Sequence, residues 1–403
     1  MMGRSFRRPV GRARLFAFVA CSLGLACRPP DVDPAIDGDR PTRRLVDPAG
    51  EFSTPFGAVR AVMALPDDRL VVSDPQENRI ALIDYSKGTS TSLSRQGGGP
   101  REFRRPGGLY RGPGGGILVF DQGLMRLLPI DAGGAVENSI GLPTGGIPGD
   151  WSTRGPDPLA FDSVGQTYEQ QAYGRPFSSA AVVLRYRPGV KPDTVARLVA
   201  KQTKSIRVNR NGTGTYQDVL FSPEDGWLVA PDGWIALARA EPYHVEWVRP
   251  AGLPVVGPVI HHEPIPIPKA EKELIACGEG GPRGRSSVTL VLIGPGGAPP
   301  SQPAKPTPIP VDELLFAKAK TPVNLRAGRW PLLDERGRIW VERSTRMGTT
   351  SSVFDVFDRT GALVDRVEIP AGLRLVGFDA DWAYVARKDA DDLEYLHRLA
   401  LTR

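Results

Sequence analysis

Cysteine is scarce in this chain. Its 403 residues hold three, Cys21, Cys27 and Cys277, which excludes a disulfide framework and makes the fold depend on its core. Apart from a remote Cys27–Cys277 bridge, Cys277 reads as an inert thiol. Histidine is nearly as scarce, with four: His244, His261, His262 and His397. Structural zinc needs about four well-spaced ligands, and no such set exists. The neighbours His261 and His262, followed by Glu263, would point to opposite faces of a strand and so serve one ion poorly. No G-x-S-x-G elbow is present, so nothing marks a nucleophilic serine. The triple glycine of GGGP, residues 97–100, does not lead into a helix, so it is no phosphate loop. Paired acids such as Asp67-Asp68 and Asp391-Asp392 fall at turns, where aspartate suits the backbone.

A positive excess is also missing once its source is located. The formal charge is +6, but residues 1–27 carry five arginines and no acid, and the remainder has 46 basic against 45 acidic residues. Nucleic-acid binding through a general basic surface is excluded on that balance. The N-terminal stretch itself reads as an export signal, with arginines first and then an apolar run from Leu15 to Ala26. That run is too short to cross a bilayer, which takes about 20 residues. Gly24-Leu25-Ala26-Cys27 resembles a bacterial lipoprotein box, which implies a lipid on Cys27. Phe18-Val19-Ala20-Cys21 is the poorer second candidate, and a plain secretory signal is the alternative. Residues 28–41, polar and proline-rich, read as a flexible tether. The protein is therefore expected outside the cytoplasm, periplasmic or at the cell surface, touching the membrane only through its anchor.

What the chain has in quantity is glycine (46) and proline (40) between short apolar runs, the composition of many strands joined by tight turns. One unit returns. RLVVSD ends at Asp74 and GILVFD at Asp121, 47 residues later; each is followed five residues on by an arginine, Arg79 and Arg126, and then by a strand ending in aspartate. A period of 40–50 residues is the mark of propeller blades. Weaker copies place Gln171, Arg239, Arg343 and Arg387 in the same column. Six units result, the last short of one strand. TRRLVD, residues 42–47, is the candidate to close the ring, which would remove the free sheet edges. SDPQENRIALID resembles the NHL-repeat consensus, and QGGGPREFRRPGGL, residues 96–109, resembles the link between such repeats. The resemblance implies a bacterial six-bladed β-propeller of the NHL/TolB-like type. It settles no function, because such folds host binding scaffolds and enzymes alike.

The expected fold is thus all-β: residues 42–403 form a six-bladed β-propeller closed by an N-terminal strand. A long Gly/Pro-rich insertion, residues 261–325, falls between blades four and five, with a short helix beginning at Lys269. A seventh blade around SSVTLVLIG, residues 286–294, is the alternative. Trp234, Trp340, Trp382 and Tyr384 are expected to fill spaces between blades.

The column Asp74, Asp121, Gln171, Arg239, Arg343 and Arg387 would ring one face of the channel. Three guanidiniums there suit a carboxylate or phosphate ligand, although pairing of Asp74 with Arg79 and Asp121 with Arg126 would explain the aspartates structurally. No cofactor is implied; calcium held by Asp74 and Asp121 is the one candidate metal. The expectation is a monomeric, non-catalytic binding or scaffold propeller of the cell envelope, taking an envelope protein or a small anionic ligand on one face. The alternative is a metal-dependent, lactonase-like propeller hydrolase or lyase. A purely structural envelope component docking through its insertion is a third reading.

Overall fold

The computed structural model describes residues 40–46, 48–142, 159–172, 179–208, 214–276, 314–323, 325 and 331–401. Cys21, Cys27, Cys277, the tether up to residue 39 and the strand proposed at 286–294 lie outside them. Two short strands open the described chain, β1 (Arg43–Arg44) and β2 (Pro48–Glu51). Antiparallel meanders follow. The first is β3 (Ala61–Ala64), β4 (Leu70–Asp74), β5 (Arg79–Asp84) and β6 (Thr89–Ser92). The second is β7 (Pro106–Arg111), β8 (Ile117–Asp121), β9 (Arg126–Ile130) and β10 (Ile140–Gly141). The third is β11 (Leu159–Phe161), β12 (Thr167–Ala172), β13 (Ala180–Arg187) and β14 (Val190–Val199). After a hairpin of β15 (Thr203–Val208) and β16 (Gly214–Asp218), the fourth is β17 (Gly226–Val229), β18 (Ile235–Ala240), β19 (Tyr243–Val248) and β20 (Val255–Val256). Then come β21 (Ile265–Pro266), helix α1 (Lys269–Ala276) and β22 (Ala319–Lys320). The fifth meander is β23 (Leu332–Leu333), β24 (Ile339–Glu342), β25 (Ser352–Phe357) and β26 (Leu363–Ile369), and the last is β27 (Leu373–Phe378), β28 (Trp382–Lys388) and β29 (Glu394–Ala400).

The sequence explains the layering within a meander. Second strands such as LVVSD and ILVFD are buried along their whole length, so they read as continuous apolar runs rather than alternating ones. The outermost strand TSTS faces water and carries hydroxyls. Aromatic rings fill the seams between neighbouring meanders. Trp340 of the fifth lies 4.8 Å from Phe378 of the last, Phe120 of the second 5.3 Å from Phe161 of the third, and Tyr243 of the fourth 5.8 Å from Phe357 of the fifth. Tyr384 of the last faces Tyr85 of the first at 6.3 Å. Trp340 and Tyr384 thus pack between sheets, as expected. Trp234 and Trp382, half-buried, also pack against the fourth–fifth and last–first seams, beneath Arg249 and Arg359 over the first and Arg398 over the second. The arrangement is propeller-like and all-β.

The last meander meets the first through their innermost strands: β27 pairs in parallel with β3, Gly377 opposite Val62. A Cβ on Gly377 would lie 2.0 Å from the Val62 carbonyl oxygen, so only glycine fits this approach. The N-terminal closing strand is not the one the sequence suggested. Within 42–47, β1 instead adds in parallel to the outer edge of the fifth meander, Arg43 opposite Val367. Its neighbour β2 supplies the fourth strand of the last, Pro48 opposite Leu399 and Glu51 opposite His397. Leu45, 1% exposed, is buried between the two. Its apolar side chain commits 42–47 to a seam, while Pro48–Glu51 joins the ladder of the last meander and Glu51 adds a carboxylate beside His397.

In every meander the turn after the second strand and the link to the next meander share one end, the link end. The turn after the first strand lies at the other, the turn end. The hairpin β15–β16, α1 and β21–β22 all belong to links, so they build up the link end beside the third, fourth and fifth meanders. They share a small core of Ile275, Ala276, Leu314, Leu220, Phe221 and Phe316. Lys320, 6% exposed, fastens this cap by bonding Glu271 at 2.7 Å and the Thr345 carbonyl at 2.8 Å. The described parts of the 261–325 insertion are therefore packed structure.

Candidate functional site

The column foreseen as a channel ring is at the link end, as its place at the close of each second strand requires. Asp74 is fully buried and accepts four backbone N–H groups: Gly57 at 2.8 Å, and Ala58, Gln76 and Glu77 at 3.1 Å each. Asp121, equally buried, accepts those of Arg104, Arg105 and Gly123 at 3.0–3.2 Å, with Arg126 at 3.7 Å. Each carboxylate thus staples the incoming link to the turn of its own meander. The pairing of Asp121 with Arg126 is present. Arg79 instead donates to Ser90 at 2.5 Å and lies over the Phe56 ring. With their lone pairs spent on separate junctions, Asp74 and Asp121 are poorly placed to share a calcium ion.

The other members of the column are also engaged. Gln171 donates to the buried Glu169 carboxylate at 2.7 Å. Arg239 holds Asp225 and Glu246, both at 2.8 Å. Arg343 binds Asp355 at 2.6 Å and lies over Tyr243. Arg387 pairs with Glu51 at 2.5 Å. The three guanidiniums expected to greet an anion are neutralised by carboxylates that the column pattern could not show, because those acids sit on neighbouring strands and links. Asp355 is the most loaded of them: fully buried, it also takes Arg366 at 2.7 Å and the Tyr243 hydroxyl at 2.8 Å.

Around Arg239 the link end gathers a cluster of titratable groups. His244 stands between the Pro242 carbonyl at 2.8 Å and Glu246 at 2.9 Å. Against the cost of its burial, the hydrogen bonds from His244 and Arg239 draw the Glu246 carboxyl down to about 2. Glu224, on the link entering β17, is pushed the opposite way, chiefly by burial, with Asp218 and Asp225 adding to it and Lys201 opposing. His262 borders the neighbouring Tyr243, ring centroids 6.2 Å apart, and burial lowers its basicity, with Arg343 adding to the effect. His261 and Glu263 are exposed and turn away, so the His-His-Glu run is no ligand set.

Two features escaped the sequence reading. At the turn end an aspartate closes the turn between first and second strands and holds an aromatic on the second. Asp162 binds Tyr168 at 3.2 Å, Asp334 binds Trp340 at 3.0 Å, and Asp379 binds Tyr384. The signal was present as Asp followed five or six positions later by Tyr or Trp. The second is a cluster of arginines on the link from β6 to β7. Arg95, Arg101, Arg104 and Arg105 are all exposed there.

The turn end carries a tie of its own. Arg111, at the close of β7, donates to the Glu335 carboxylate on the turn before β24, and to the Ala64 carbonyl at 2.7 Å. The second, fifth and first meanders are thereby joined at that end. Among the described residues, no group of three or more His, Cys, Asp or Glu is placed to hold a metal ion. No described helix is long and apolar enough to cross a membrane.

No family model matches the chain, and no curated protein does. Solved structures do. One is a virginiamycin B lyase from Staphylococcus aureus, at 10% identity and TM-score 0.37, covering 88% of this chain and 98% of that one. Another is a calcium-binding regucalcin from Agrobacterium tumefaciens, at 12% and 0.38, covering 90% and 97%. A third is a gluconolactonase from Xanthomonas campestris, at 12% and 0.37, covering 93% and 100%. These are propeller proteins of the lactonase and lyase kinds. The likeness carries no activity across; the fold here rests on the sheet order above.

Proposed function

We propose that this is an exported, lipid-anchored, six-bladed propeller of NHL type, acting as a monomeric binding module of the cell envelope through its link end. The sheet order supports six blades, with β2 completing the last and β27 meeting β3 inside. The observation that carries the binding reading is the difference between the ends. Arg111 and Glu335 tie the turn end together, while among the described residues a packed cap of hairpin, helix and strand pair builds up the link end beside the third, fourth and fifth meanders. Irregular links on a rigid scaffold are where recognition concentrates.

Site-specific photo-crosslinking in intact envelopes tests this. A crosslinker at Met347 or Leu274 on the link end should capture a partner, and one at Val164 on the turn end should not; all three side chains are exposed. Capture from Val164 alone would sink the reading.

A hydrolase or lyase is the second reading, and one observation favours it. Glu224 and Glu246 flank Asp225 and Arg239 with their acidities driven apart, the pattern of an acid and a base in one site. Lactone ring opening by the full protein, lost in Glu224→Gln, would establish it in place of the first.

A further inference from the structure

We infer that the link between β6 and β7 is a preformed docking edge for an acidic peptide segment of a partner protein. This rests on the binding reading above and gives it a place and a chemistry. The column arginines cannot play that part, since each already holds a carboxylate. Arg104 and Arg105 differ: both side chains are exposed, and neither guanidinium has a carboxylate partner among the described residues. Among the described residues Arg101 reaches only the neutral Asn138, at 3.1 Å. Arg95, with 85% of its side chain exposed, faces Glu102, the one acid between residues 95 and 105.

The edge is rigid, which is what makes it a site rather than a solvated loop. Phe103 is fully buried and anchors it. Gly97 donates to the Phe103 carbonyl at 2.8 Å and Phe103 to that of Arg95 at 3.3 Å, folding the segment back on itself. The Glu102 carboxylate accepts the Gly99 N–H at 2.7 Å, and Arg126 grips the Gly99 and Glu102 carbonyls from below at 2.6 and 2.8 Å. A Cβ on Gly97 would lie 2.1 Å from the Glu102 carboxylate, so a larger residue there would push aside the side chain that bonds Gly99. Asp121 then fixes the backbone of Arg104 and Arg105. Arginines whose backbone is already ordered lose less freedom on binding, and planar guanidiniums match carboxylates two bonds at a time.

Peptide is favoured over membrane lipid by the direction of the chain. β1 runs parallel to β26, and Arg40 bonds the Val364 carbonyl near the start of β26, so the described chain begins toward the turn end. An anchor attached ahead of Arg40 would turn the link end, and this edge, away from its own membrane.

The test is a fluorescence-anisotropy titration of the full protein with a labelled twelve-residue Glu/Asp-rich peptide at low and at physiological salt. Binding should weaken as salt rises. Arg104→Gln/Arg105→Gln should bind at least about tenfold more weakly, which corresponds to about 1.4 kcal/mol. Lys87→Gln/Lys191→Gln removes the same charge from exposed sites at the turn end and should bind as wild type. Equal loss in both pairs would reduce the effect to net charge and overturn the inference, as would an unaffected Arg104/Arg105 variant. Binding to phosphatidylglycerol vesicles or inorganic phosphate without binding to the peptide would overturn the assignment to peptide. If the crosslinks from Met347 survive in Arg104→Gln/Arg105→Gln, the binding reading stands and this edge is not its site.

Discussion

Arg111 and Glu335 are 224 positions apart in the chain, yet their side chains meet at the turn end. Glu335 is 37% exposed, and exposed ion pairs contribute at most about 1 kcal/mol. Glu335→Gln should therefore lower unfolding stability by less than about 1 kcal/mol. Its visible effect should be local: faster amide hydrogen exchange around Leu65–Arg69 and Gly112–Gly116, with the rest of the molecule unchanged. A uniform increase in exchange would mean the pair supports the whole fold.

Asp121 offers the sharper stability test. Its oxygens face only donors, so Asp121→Asn would set an NH2 group against backbone N–H groups. A buried polar group left unsatisfied costs about 1–3 kcal/mol, more when a charged partner is involved. The expected loss is about 3 kcal/mol in urea unfolding, with weakened peptide binding, because the same carboxylate orders Arg104 and Arg105.

The Asp355 network should respond unequally to its members. Tyr243→Phe removes one neutral donor and should cost about 1 kcal/mol. Asp355→Ala leaves Arg343 and Arg366 without their shared carboxylate and should cost about 3–5 kcal/mol. Equal losses, measured by chemical denaturation, would contradict this geometry.

Stability should depend on pH in two separate windows. Burial, first of all, makes His262 and His397 harder to protonate in the folded protein than their ordinary value of 6.5. As pH falls through that value the unfolded chain takes up more protons, so stability is full above it and declines below. Glu246, drawn down from 4.5 to about 2, contributes stability above 4.5 that is lost toward about 2. Urea midpoints from pH 8 to pH 3 should show both declines; His397→Gln should shrink the first and Glu246→Gln the second.

The strands and their period were legible because each meander repeats an apolar run ending in a polar residue. RLVVSD and GILVFD announce the same place in two sheets. The closing strand was misplaced by a few residues because apolar character marks burial, and Leu45 is buried in a seam rather than in the last sheet's own ladder. Pro48–Glu51 pairs through its backbone, which leaves no pattern of side chains to read. The arginine column was found, but its neutralisation was not, since Asp225, Asp355 and Glu51 reach Arg239, Arg343 and Arg387 only after folding. Arg104 and Arg105 stood in plain view within the quoted link. What could not be read there is that their backbone, and not their side chains, would be occupied.

The N-terminal segment crosses from one sheet to the next, with β1 on the fifth meander and β2 on the last. Arg43 adds two bonds to Asp365, at 2.7 and 3.1 Å, and Leu45 sits buried between the sheets. Any pull on the chain ahead of Arg40 is therefore borne along the length of a strand. Hydrogen bonds loaded in that direction must yield together rather than one by one. The fifth and last meanders would share that force, so neither sheet would bear it alone.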